Sequence, residues 1–175
     1  LLVIFFVANV SVAQAQQAGK IPRIGFLSGG ASDAQSARIE AFRQGLRELG
    51  YVEGKNIVIE ARSAEGKLDR LPALAAELVR LKVDIIVTGG ASATRPAKEA
   101  TTTIPIVMMG DGDPVGSGIV ASLAKPGGNI TGLSSLAPEL IGKRLELLKE
   151  IIPALSRVAV LRTSTQPGNA QSLKE

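Results

Sequence analysis

Ile24-Gly25-Phe26-Leu27-Ser28-Gly29-Gly30-Ala31-Ser32-Asp33 runs from a short apolar segment through a small-residue turn to polar residues able to cap a helix. Ile24, Phe26 and Leu27 suit a buried strand. Gly29 and Gly30 permit backbone geometries closed to other residues, and Ser32 or Asp33 can accept from the first free amides of a helix. The stretch predicts strand, loop and helix start, a junction whose exposed amides and hydroxyls suit an anionic or polar ligand. A nucleotide cradle is a poor fit: the chain has no G-x-x-x-x-G-K-[ST], and residues 25–30 do not match G-x-G-x-x-G. A plain tight turn and a rim loop for another kind of ligand both remain open.

The same alternation continues outward. Apolar runs predict strands at residues 21–28, 56–61, 84–88, 105–109, 129–134 and 157–161. Between them, Ile39, Phe42, Leu46 and Leu49 share one helical face over residues 33–49, ended by Gly50. Leu71, Leu74, Leu78 and Leu81 do the same over 69–82, where Pro72 is acceptable in the first turn. Further helices are expected at 93–102, at 119–124 as a short piece, at 138–152 through Ile141, Leu145, Leu148 and Ile152, and from 170 after a turn at 166–169. Short strands that are apolar throughout and alternate with helices imply an α/β fold: an open parallel sheet with helices on both faces. Right-handed crossovers bring every strand-to-helix loop to one edge of such a sheet, where open α/β sheets bind ligands. Residues 28–32, 89–92 and 110–114 should therefore converge on one rim.

Three groups on that rim are candidate ligand contacts. The first is Ser28, Gly29, Gly30 and Ser32. The second is Gly90, Ala91 and Ser92, where amides and hydroxyls at a helix start suit a carboxylate, although Ser92 also reads as an ordinary cap. The third is Asp111, Asp113 and Pro114. Alternating carboxylates in a glycine-rich loop can hold a metal, act as acid and base, or pair with a ligand ammonium, and they can equally be turn residues capping a helix after Pro114. Two carboxylates with no others nearby are poor for calcium.

Composition narrows the chemistry. With 175 residues and 45% hydrophobic content the chain can bury a core. It has no cysteine and no histidine, which excludes disulfides, thiolate nucleophiles, the usual zinc sites and Ser-His-Asp triads. The net charge of +4 is scattered, and beyond the N-terminal segment only Phe26, Phe42 and Tyr51 are aromatic. Nucleic acid is not an expected partner. Residues 1–12 form an apolar run followed by Ala13-Gln14-Ala15, the pattern of a secretory signal and its cleavage site. At about 12 residues the run is too short to span a bilayer. With no cysteine after it, no lipoprotein anchor is expected, so the mature chain should be exported and free of a stable membrane anchor. Neither a cofactor nor a metal is expected.

Several segments together resemble a family. Gly50-Tyr51-Val52-Glu53-Gly54-Lys55-Asn56-Ile57, Ala64-Glu65-Gly66-Lys67, Arg70-Leu71-Pro72-Ala73-Leu74-Ala75-Ala76-Glu77-Leu78-Val79, Gly112-Asp113-Pro114-Val115-Gly116, Lys125-Pro126-Gly127-Gly128-Asn129-Ile130-Thr131-Gly132 and Lys143-Arg144-Leu145-Glu146-Leu147-Leu148-Lys149 are similar to bacterial ABC transporter substrate-binding proteins of the tryptophan/tyrosine-binding group. The resemblance implies a type I periplasmic-binding-protein fold, with two α/β lobes joined by a hinge. It implies an exported, periplasmic protein that holds a small polar or carboxylated solute, amino acids included, and delivers it to an ABC permease and its ATPase subunit without catalysis.

By position it implies first-lobe contacts from the three rim loops and a hinge at Thr131, Gly132, Leu133 and Ser134. The expected division is a signal-peptide remnant at 1–15, a first lobe at 20–134, and the hinge exit with an incomplete start of a second lobe at 135–175. Where the family pattern carries aromatic residues, this chain has Ala61-Arg62-Ser63 and Arg162-Thr163-Ser164. The alternatives are a small-molecule-sensing lobe of a receptor or regulator, and an α/β enzyme using Asp111 and Asp113.

Overall fold

The computed structural model describes residues 20–30, 32–135 and 140–159, with no side chains at 32–36. The expected signal segment, the cap role of Ser32 and Asp33, the start of the helix at 138, the end of the strand at 161 and everything from 166 onward lie outside the described residues.

Five strands build one sheet: β1 (Arg23–Ser28), β2 (Val58–Ser63), β3 (Ile85–Thr88), β4 (Ile106–Asp111) and β5 (Ile130–Ser134). All pairings are parallel, in the order β2-β1-β3-β4-β5. The helices are α1 (Ser32–Glu48), α2 (Leu71–Arg80), entered through a 3-10 turn at Leu68–Arg70, α3 (Ala91–Ala100) and α4 (Ile141–Ile151).

The period-2 geometry of a strand sends alternate residues of β1 to opposite faces, and both faces are covered. Ile24 and Phe26 join Ile39, Ile57 and Val87 under α1, where the Phe26 and Phe42 rings stand 5.6 Å apart. Leu27 packs on the other face with Leu71, Leu74, Leu78, Ile86 and Ile106, beneath α2 and α3. Phe26 and Leu27 are fully buried, each contributing about 1.5–3 kcal/mol of burial free energy. Arg62 on β2 pairs with Glu77 on α2 at 2.9 Å, and Lys20 with Asp84.

Several expectations need correction. Residues 119–124 form bends, not a helix. The Ile119 and Val120 amides both donate to the Pro114 carbonyl, and Ala121 donates to Pro126. Ile119 and Val120 are both buried on a turn held to the Pro114 carbonyl, so core packing overrides the local pattern.

Gly110 and Asp111 belong to β4 rather than to a loop, with an irregularity in pairing between Met109 and Asp111. The helix expected at 93–102 starts at Ala91, with Gly90 as its N-cap. Residues 157–159 form no strand: a strand needs a neighbour to complete its hydrogen bonds, and among the described residues none lies beside it. For the same reason α4 keeps its amphipathic sequence but buries none of its residues, leaving Leu145, Leu147 and Ile151 exposed.

Candidate functional site

Because every strand runs the same way, Ser28, Ser63, Thr88, Asp111 and Ser134 all end at one rim. An open cleft of about 370 Å³ lies there, lined by Gly29, Gly30, Arg38, Leu68, Gly89, Gly90, Ala91, Ser92, Gly110 and Gly112. The three loops singled out in the sequence thus meet. Of the candidate residues, Gly29, Gly30, Gly90, Ala91 and Ser92 form its wall. Ser28, Asp111, Asp113 and Pro114 do not.

The floor is built by close approach. A Cβ on Gly29 would stand 2.8 Å from both Leu68 Cδ2 and Ser92 Oγ, so the bare glycine lets α3 and the turn before α2 close on the end of β1. Ser28 is buried, and its Oγ accepts from the Gly30 amide at 3.2 Å, shaping the loop from below. The Ser63 hydroxyl donates to the Gly30 carbonyl at 3.0 Å and holds the loop from the β2 side.

The second wall is the start of α3. Gly90, at φ 129, makes the turn out of β3 and caps the helix without any side-chain hydrogen bond. The role expected for Ser92 as a cap therefore falls to a residue that has no side chain to give. The first residues of α3 line the cleft, at the positive end of the helix dipole, a setting that favours an anion. Above them Arg38 reaches from α1 and donates from Nη1 to the Gly89 carbonyl at 3.2 Å. By periodicity Arg38 belongs to a solvent face of its helix. Periodicity gives the face but not the angle at which α1 crosses the sheet, so nothing local signals that this arginine overhangs the cleft.

The two aspartates have different surroundings. Asp113 Oδ1 accepts from the Gly116 amide at 2.7 Å, which fixes the turn after β4. Asp111 is 1% exposed and lies on the α3 side of the sheet, beneath the cleft rather than in it. Neither of its oxygens has a hydrogen-bond partner of normal geometry among the described residues. The nearby Thr94 hydroxyl is engaged with Gly90 O at 3.3 Å and Thr88 Oγ1 at 2.8 Å. Burial pushes the Asp111 carboxyl up from its ordinary value, and proximity to Thr94 offsets only part of that rise. Among the described residues no three acidic or other ligating side chains gather as a metal site.

Thr131, Gly132, Leu133 and Ser134 all lie in β5, an edge strand paired with β4. Gly132 sits at φ 141, with the Met108 backbone occupying the place where a Cβ would stand.

The sequence model of ABC transporter substrate-binding proteins matches residues 23–175. The chain belongs to that family. Its members are substrate-binding proteins, not enzymes. A tyrosine-binding protein of Clostridioides difficile (strain R20291) is 34% identical over 127 residues, covering 73% of this chain and 36% of the relative. A solved conserved domain protein from Vibrio cholerae superposes with a TM-score of 0.78 at 32% identity, over 89% of this chain and 51% of that one. The ABC domain from Streptococcus pneumonia, solved in complex with L-Trp, gives a TM-score of 0.72 at 25% identity over 87% and 51%. The chain thus spans about half the length of the solved structures it resembles, and less of the curated relative.

Proposed function

We propose that this chain carries the first lobe of an exported, periplasmic solute-binding protein of an ABC importer, and that its cleft forms one wall of a site for a small carboxylated solute, an amino acid first among them. The observation that carries the reading is the cleft at the C-terminal rim of the sheet, where the start of α3, with no side-chain cap, and the glycine loop after β1 stand together. Free amides and a helix dipole suit a carboxylate. Relatives named for tyrosine and solved with L-Trp make aromatic amino acids the first solutes to test. Among the described residues no aromatic side chain lines this wall, so stacking on the ligand would have to come from elsewhere.

In this reading the second wall belongs to a second α/β lobe, which the exposed apolar residues of α4 would help to cover. Thr131, Gly132, Leu133 and Ser134, on the edge strand β5, lead toward it as the hinge. A solute touching both walls only in the closed form shifts the population toward closure, and the permease with its ATPase subunit recognises that form. Calorimetric titration of the complete gene product with the twenty amino acids tests the reading. Saturable binding of one or a few with a single site is the expected result, and absence of binding to any carboxylated solute would remove the reading.

A further inference from the structure

We infer that Arg38 sets the charge selectivity of the cleft, accepting solutes with a free carboxylate and rejecting the same molecules with that group masked. The inference rests on the proposed function, that the cleft receives a small solute. Among the described residues Arg38 is the single formally charged one lining the cleft, and no acidic side chain shares that wall. Its guanidinium is fixed by one donation to the Gly89 carbonyl, and among the described residues no carboxylate pairs with it. A guanidinium has five N–H donors in a rigid fork. The bond to Gly89 uses one and tethers the exposed side chain, so the remaining donors are available to an anion at a reduced cost in side-chain ordering.

The carbonyl that steadies Arg38 belongs to the residue immediately before the Gly90 cap, so cation and helix start are held on the same short piece of backbone. A carboxylate placed between them meets a charge-assisted donor on one side and backbone amides on the other. Arg43, five residues along the same helix, shows the contrast. It is paired with Glu40 and Glu53 and has its charge already answered.

The test compares acids with their amides. The complete gene product and its Arg38→Gln and Arg38→Lys variants are titrated calorimetrically with L-tyrosine and L-tryptophan, and with L-tyrosinamide and L-tryptophanamide. The wild type is expected to bind at least one acid about tenfold or more tighter than its amide. Arg38→Gln loses the charge and, with its shorter side chain, the donation to Gly89, and should weaken the acid about 10- to 100-fold while leaving the amide within about twofold. Arg38→Lys, with the charge but not the fork, should fall between.

An equal loss for acid and amide in Arg38→Gln would mean that Arg38 only holds the loop, and would overturn the inference while leaving the solute-binding function intact. A wild type that binds amide as well as acid would overturn it too. Binding of none of the four by the wild type would overturn the inference for these solutes and count against an aromatic amino acid as the solute.

Discussion

Gly29 lies so close to Ser92 that a Cβ on it would stand 2.8 Å from the Ser92 hydroxyl oxygen. This contact joins the end of the first strand to the start of α3 and sets the width of the cleft between them. Gly29→Ala should destabilise the protein by about 1 kcal/mol, because both atoms it would strike, Ser92 Oγ and Leu68 Cδ2, are side-chain ends that can give way. Ser92→Ala removes one of them. In a double-mutant cycle followed by urea unfolding, Ser92→Ala should restore roughly 0.5 kcal/mol on the Gly29→Ala background. Strict additivity would show that the two residues do not press on each other.

Gly132 should tolerate no side chain. Gly132→Ala places a methyl against the Met108 carbonyl and forces an alanine to φ 141 in a paired strand. A loss of about 3 kcal/mol is expected, the combined effect of steric overlap and backbone strain. Leu133→Ala on the same strand, at 70% exposure, should change stability by less than about 0.5 kcal/mol. Chemical denaturation of both variants checks the contrast.

Asp111 should make the protein less stable at neutral than at acid pH, considered by itself. Its carboxyl is raised above the ordinary value of 3.8 by burial. Below 3.8 both folded and unfolded chains hold the proton and the group costs no charge burial. As pH rises past that value the unfolded chain ionises first, so the contribution is lost progressively up to the raised native value. Asp111→Asn should therefore stabilise the fold by about 1–2 kcal/mol at about pH 7 and by little near pH 3.5. Urea midpoints at the two pH values measure it, and an equal change at both would refute the account.

Asp113 should act through its oxygen and not its charge. Asp113→Asn retains an acceptor for the Gly116 amide and should stay within about 0.5 kcal/mol of the wild type, whereas Asp113→Ala should lose about 1 kcal/mol. Thermal unfolding of the pair separates the two. Equal losses would assign the effect to the carboxylate charge.

The alternation of apolar strands and amphipathic helices is readable from sequence because residues such as Ile24, Phe26 and Leu27 report burial directly, and a parallel sheet follows from their arrangement. That the loops meet at one rim is legible as well, since handed crossovers leave no other place for them. Whatever depends on angle or on neighbours is not. Arg38 overhangs the cleft because of how α1 crosses the sheet, and Ser92 loses its cap role because Gly90 turns the chain two residues earlier. Asp111 reads as half of a loop pair with Asp113. The pairing irregularity after Met109 lies just before it, and Asp111 is turned under α3. The stretch at 119–124 has helix-like composition, but its amides bond to the Pro114 and Pro126 carbonyls and leave Ile119 and Val120 buried on a turn.

The strand order also bears on how the chain reaches this state. β1 is made first yet lies in the interior of the sheet, between β2 and β3. While a ribosome is still completing α2, Phe26 and Leu27 have no second neighbour to shelter them, and the sheet cannot be sealed on that side until Ile85–Thr88 has emerged. Parallel pairings across such separations form late, so the nascent chain presents this apolar strand with one side unpaired for a long interval. Chaperones that hold extended apolar peptides would find a target in Phe26 and Leu27 during that interval.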